Sequence, residues 1–135
     1  MAVTGSRREA RERALGLCYE LEVRDLGVDA LIEQQPAPPD AYAVRLVRGV
    51  EEHHDAVDAL LRKFSEHWAL ERMPAVDRAV LRLGAYELGW EREIPSAVVI
   101  NEAVDLAKQY STKDSGRFVN GLLSRIAEEL RPPSP

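Results

Sequence analysis

An all-α domain of about six to seven helices is the fold class that three observations predict. Apolar residues recur at intervals of three and four along most of the chain, the period of an amphipathic helix. Glycine and proline fall mostly between those periodic segments. No alternating strand pattern, internal repeat or long linker interrupts the 135 residues, which read as one domain over 1–131 with a loose tail at 132–135.

Ser6 followed by Glu9 is a capping box, so a first helix begins near Arg7. Its stripe is Ala10, Ala14, Leu17, Cys18 and Leu21, and Gly27 ends it. A short helix covers Asp29 to Gln34 before Pro36, Pro38 and Pro39 break the chain. Asp40 then caps the longest helix, whose stripe runs through Ala43, Leu46, Val47, Val50, His54, Val57, Leu61 and Phe64. The pattern weakens from Glu66 to Arg72, which predicts a bend or a short helical turn. Pro74 sits in the first turn of the next helix, where its missing N–H costs nothing. From Ala75 to Leu88 the apolar residues reach around much of the helix, so it is central and packed on several sides.

Ile94-Pro95 ends that element. Ile100, Ala103, Val104 and Ala107 form another stripe, with Asn101, Glu102, Asp105 and Lys108 outside it. The last helix opens with Asp114 or Ser115 as cap, buries Phe118 or Val119 with Leu122, Leu123, Ile126 and Leu130, and stops at Pro132-Pro133. The opening of this helix has features that a core helix does not need. Lys113 and Arg117 flank an N-terminus, which is a ready anion site. Phe118 stands among basic groups, where an exposed ring would stack single-stranded bases. Gly121 in a helix interior costs about 1 kcal/mol against alanine.

The net charge of −5 argues against nucleic acid, but its distribution does not. Residues 1–13 and 113–125 each carry +2, and they bracket an acidic body over 14–112 with a net −8. If the fold brings the two ends together, they make one basic patch. Arg7, Arg8, Arg11 and Arg13 lie in the first turns of a helix, where cations oppose the dipole unless an anion offsets them.

Nothing in the chain suits catalysis or a cofactor. There is no phosphate-binding glycine loop, dinucleotide fingerprint or nucleophile elbow. His53 and His54 are adjacent and point about 100° apart on a helix, so they cannot share a metal. His67 has no ligand-spaced partner. The single cysteine, Cys18, lies on a buried stripe as an inert small hydrophobe, and it fits a reducing, cytoplasmic setting. No stretch approaches the ~20 apolar residues that span a membrane. The remaining function is binding.

Four ordered segments carry a family resemblance: Arg-Arg-x-Ala-Arg-x-x-Ala-Leu over 7–15 with Tyr19; the run from Met73 to Leu88; Ile94-Pro95 with Val99 to Lys108; and Asp114-Ser115 followed by Arg117-Phe-Val-Asn-Gly121. Together they resemble the NusB family of bacterial transcription antitermination factors over about residues 7–130. The resemblance implies two packed helical subdomains and no enzymatic activity. It implies binding of the boxA element of nascent ribosomal RNA together with the ribosomal protein NusE, in a complex that helps RNA polymerase resist termination. By position, it assigns Arg7, Arg8 and Arg11 to RNA phosphates, and Lys113, Asp114 and Phe118 to the neighbourhood of the bases. Tyr19, Asp77, Arg78 and Glu87 would lie near NusE. Two other readings remain open: a helical module acting through homodimerisation, and a NusB-like domain of a ribosomal RNA cytosine methyltransferase without its catalytic domain.

Overall fold

A computed structural model of the protein describes residues 6–66 and 68–132, and among them the secondary structure is helical throughout. The helices are α1 (Arg7–Val23), α2 (Val28–Glu33), α3 (Ala41–Glu52), α4 (His54–Phe64), α5 (Ala75–Trp90), α6 (Ser96–Tyr110) and α7 (Lys113–Leu130), with a 3-10 turn at Leu70–Arg72. His67 and residues 133–135, on which two expectations fall, lie outside the described residues. No helix among those described is long and apolar enough to cross a membrane.

The capping box forms at the start of α1: the Glu9 N–H donates to Ser6 Oγ at 3.1 Å, and the Ser6 N–H donates back to Glu9 Oε1. The other end differs from expectation. α1 stops at Val23, where Arg24 turns extended, and Gly27 instead precedes α2.

The long helix expected after Asp40 is two helices. His53 leaves the helical region with ψ 21°, and its ring stacks on Trp90 at 4.5 Å. The bend keeps both segments against α5, because Leu46, Val47 and Val50 of α3 and Val57 and Leu61 of α4 are all buried.

α5 is the hub. Helices α1, α3, α4, α6 and α7 all pack on it, and Val80, Leu81, Ala85 and Leu88 are shut off from solvent. Two helical groups share it, α1 to α3 on one side and α4, α6 and α7 on the other, around one continuous apolar cluster. Arg11–Glu87 and Glu22–Arg78 ion pairs set α1 antiparallel to α5. Contacts of Asp77 with Ser115 and of Gly84 with Leu123 set α7 parallel to it. Arg131 closes the far end, donating to the carbonyls of Glu87 and Leu88 in the last turn of α5 and of Glu91 and Ile94 just beyond it.

Candidate functional site

The start of α7 is built by three hydroxyls. Thr112, not Asp114 or Ser115, is the cap: its Oγ1 accepts the Ser115 N–H at 3.0 Å. Ser115 points inward instead and donates to Asp77 Oδ2 at 2.8 Å. That bond pins α7 to the first turn of α5 and turns Lys113, Asp114 and Arg117 out to solvent.

Lys113 and Arg117 make no ion pair with any described residue, and neither does Lys108. Lys108 was not among the expected site residues. It is brought in by the close packing of α6 on α7, where its side chain lies against Gly116. The sequence signals for it were its position off the apolar stripe of α6 and its place at the end of the Val99 to Lys108 segment. Phe118 is half-buried, edge to face with Trp68 at 5.1 Å between centroids.

The N-terminal arginines divide into two kinds. Arg7 is exposed and lies over the Tyr42 ring at 3.7 Å. Arg8 is half exposed and donates to both Glu102 at 2.5 Å and Asp105 at 2.8 Å on α6. The bond to Glu102, then that to Asp105, holds its pKa above the ordinary arginine value. Arg11 does not face solvent at all. It is 5% exposed and grips both oxygens of Glu87, with Nε to Oε1 and Nη2 to Oε2 each at 2.9 Å. Burial works against its charge, and the Glu87 carboxylate more than offsets that, leaving the pKa raised. A phosphate cannot reach this guanidinium while the pair is intact. The two basic ends do flank one element: Arg8 sits on Asp105 of α6, and Lys108, one turn further along the same helix, touches α7.

The four expected partner residues also divide. Glu87 is buried and accepts from Arg11 and from the Tyr42 hydroxyl. Asp77 is fully buried, with Oδ1 unpartnered. Arg78 is turned inward, donating to the carbonyls of Leu70, Glu71 and Met73 and to Glu22, with burial, then Arg82, lowering its pKa. All three brace the fold, which their charged side chains did not reveal in sequence. Asp77→Lys would therefore test folding before it tested any interface.

Tyr19 alone of the four is exposed, at 40%. It lines an apolar groove of about 240 Å³ with Leu15, Gly16, Val76 and Tyr110, whose hydroxyl donates to Glu12 at 2.5 Å. Val23, one turn beyond Tyr19 on α1, is also exposed. The groove adjoins the start of α7, because Val76 precedes Asp77 and Tyr110 precedes Ser111. An apolar groove and a cationic surface thus meet along one edge.

The chain is similar to known proteins over nearly its whole length. The chain is 46% identical over 129 residues to the transcription antitermination protein NusB of Thermobifida fusca, covering 93% of this chain and 91% of that protein. The solved structure of T. maritima NusB superposes with a TM-score of 0.85 at 38% identity, covering 96% of each chain. A solved complex of antitermination factors NusB and NusE with double-stranded RNA contains a chain that matches at TM-score 0.78 and 29% identity, covering 91% of this chain and 96% of that one. The sequence pattern of the NusB family matches residues 8–128, the span that holds all of α1 but Arg7, the α5 hub and the start of α7. The chain belongs to the NusB family.

Proposed function

We propose that this protein is a cytoplasmic transcription antitermination factor that binds boxA-type single-stranded RNA jointly with NusE, and that it acts by binding and not by catalysis. The observation that carries the reading is the junction at the start of α7. Three cations with no carboxylate partner among the described residues, Lys108, Lys113 and Arg117, stand beside Phe118 and adjoin the apolar groove at Tyr19. A protein docked in the groove would extend the RNA surface, so RNA and partner would bind cooperatively.

The solved complex of relatives that contains both NusE and RNA supports the same pairing. The test is RNA binding with and without NusE, using boxA and a scrambled strand at several salt concentrations. Tighter boxA binding in the presence of NusE is expected, with a salt slope that falls by about 0.7 when Arg8 is changed to alanine. Equal affinity for both strands would remove the reading.

The pairing of Arg8 gives a second expectation. Glu102 and Asp105 occupy the place a phosphate would take on its guanidinium. Glu102→Gln with Asp105→Asn should therefore tighten RNA binding roughly threefold to tenfold, since an exposed pair of this kind is easily displaced. Filter binding at 0.1 M salt measures it, and unchanged affinity would show that Arg8 does not meet phosphate.

A further inference from the structure

Gly121 lies inside α7, at position nine of eighteen, and packing does not require it there. A Cβ built on Gly49, Gly84 or Gly116 would strike Tyr86, Leu123 or Lys108. A Cβ on Gly121 would meet nothing nearer than Arg125 Nη1 at 3.8 Å, an ordinary contact. The chain thus keeps a helix-weakening residue at a site where its own neighbours leave room for a side chain.

The surroundings say what uses that room. Phe118, Gly121 and Arg125 are spaced by three and four, so they share one face of α7. Phe118 heads that face with Trp68 set edge-on to it. Arg125 closes it, donating to the Phe64 carbonyl at 3.0 Å and so tying α7 to the end of α4, from which the chain leads to Trp68. An edge-to-face pair leaves faces of both rings uncovered by each other. Arg117 and Lys113 flank the same first turn with no carboxylate partner among the described residues. Two aromatic rings, a bare stretch of helix and unpaired cations are the parts of a stacking site for a flat, anionic-backboned ligand.

We propose that Trp68, Phe118 and the uncovered backbone at Gly121 form one site for an unpaired RNA base, Trp68 touching the RNA itself and Gly121 staying bare so that the base can lie against α7. This rests on the RNA-binding reading above and adds two residues to it. Trp68 and Phe118 are both half-buried, so each ring offers part of its surface and the two together make the platform. A side chain at position 121 would stand where the base or its sugar lies.

The experiment pairs a substitution with a spectroscopic probe, both in the presence of NusE. Gly121→Gln should melt at or above the wild-type temperature, because the helix gains a better former without a clash. It should bind boxA RNA about tenfold or more weakly. Wild-type protein labelled with 5-fluorotryptophan has two resonances, from Trp68 and Trp90, assigned with Trp90→Phe. Saturating boxA should move the Trp68 signal and leave Trp90, which is stacked against His53 and beside Tyr86, in place. Wild-type affinity in folded Gly121→Gln, or a Trp68 signal unmoved by bound RNA, would overturn the site while leaving the RNA-binding reading intact. Failure of the wild-type complex to prefer boxA over the scrambled strand would remove both.

Discussion

Arg11→Ala is expected to cost about 3–5 kcal/mol of stability, because it strands the Glu87 carboxylate in the interior without its cation. Both side chains are nearly closed off, at 5% and 3% exposure. The pair is bidentate, and Glu87 also accepts the Tyr42 hydroxyl at 2.6 Å. The loss therefore reaches three side chains on α1, α3 and α5. A domain of this size has about 5–15 kcal/mol in total, so the variant would stand close to the unfolding threshold. Urea denaturation followed by circular dichroism measures it. A midpoint equal to wild type would contradict the role of Arg11 as a brace. Replacing both partners, Arg11→Met with Glu87→Gln, should recover much of the loss, since no charge is then buried and the amide oxygen still accepts from Tyr42. RNA affinity per folded molecule should change little in either variant, in contrast with Arg8→Ala.

What the sequence disclosed was what local patterns encode. The Ser6–Glu9 box, the breaks at Pro36 to Pro39 and at Pro95, and the all-round apolar character of α5 are each written in a few neighbouring residues. The bend at His53 was hidden because the apolar stripe continues through it unbroken. The ring of His53 at the bend stacks on Trp90, which is remote in sequence.

The charged interior was hidden for a similar reason. Arg11 and Glu87 are 76 positions apart, and Asp77 meets a hydroxyl 38 positions away. A charged residue read alone is a surface residue, whereas Arg11, Asp77, Arg78 and Glu87 all find their partners within the fold. Those braces nevertheless shape the proposed RNA surface. By fixing Ser115 inward, Asp77 decides that Lys113 and Arg117 face out.

Glycine shows the limit most sharply, because the same residue type has opposite meanings at positions 49 and 121. Gly49→Ala should destabilise the protein by about 3 kcal/mol, the upper part of the usual range for overpacking, although alanine is the better helix former. The added methyl would overlap Cζ, Cε1 and the hydroxyl of Tyr86. That ring has nowhere to go. It is 5% exposed, and its hydroxyl donates to Glu91 Oε2 at 2.7 Å. Burial and then this bond push the phenol pKa up to about 12, so the ring stays protonated and anchored at any ordinary pH. Glu91 is itself buried and held by Arg45 at 2.8 Å, so moving Tyr86 would unpair a buried carboxylate. A melting temperature lowered by roughly 10 °C is expected from calorimetry. Tyr86→Phe added to Gly49→Ala should not restore it, because the ring carbons alone still clash with the methyl. An unchanged melting point for Gly49→Ala would show that α3 and α5 are not in the close approach that brings Tyr86 onto bare backbone.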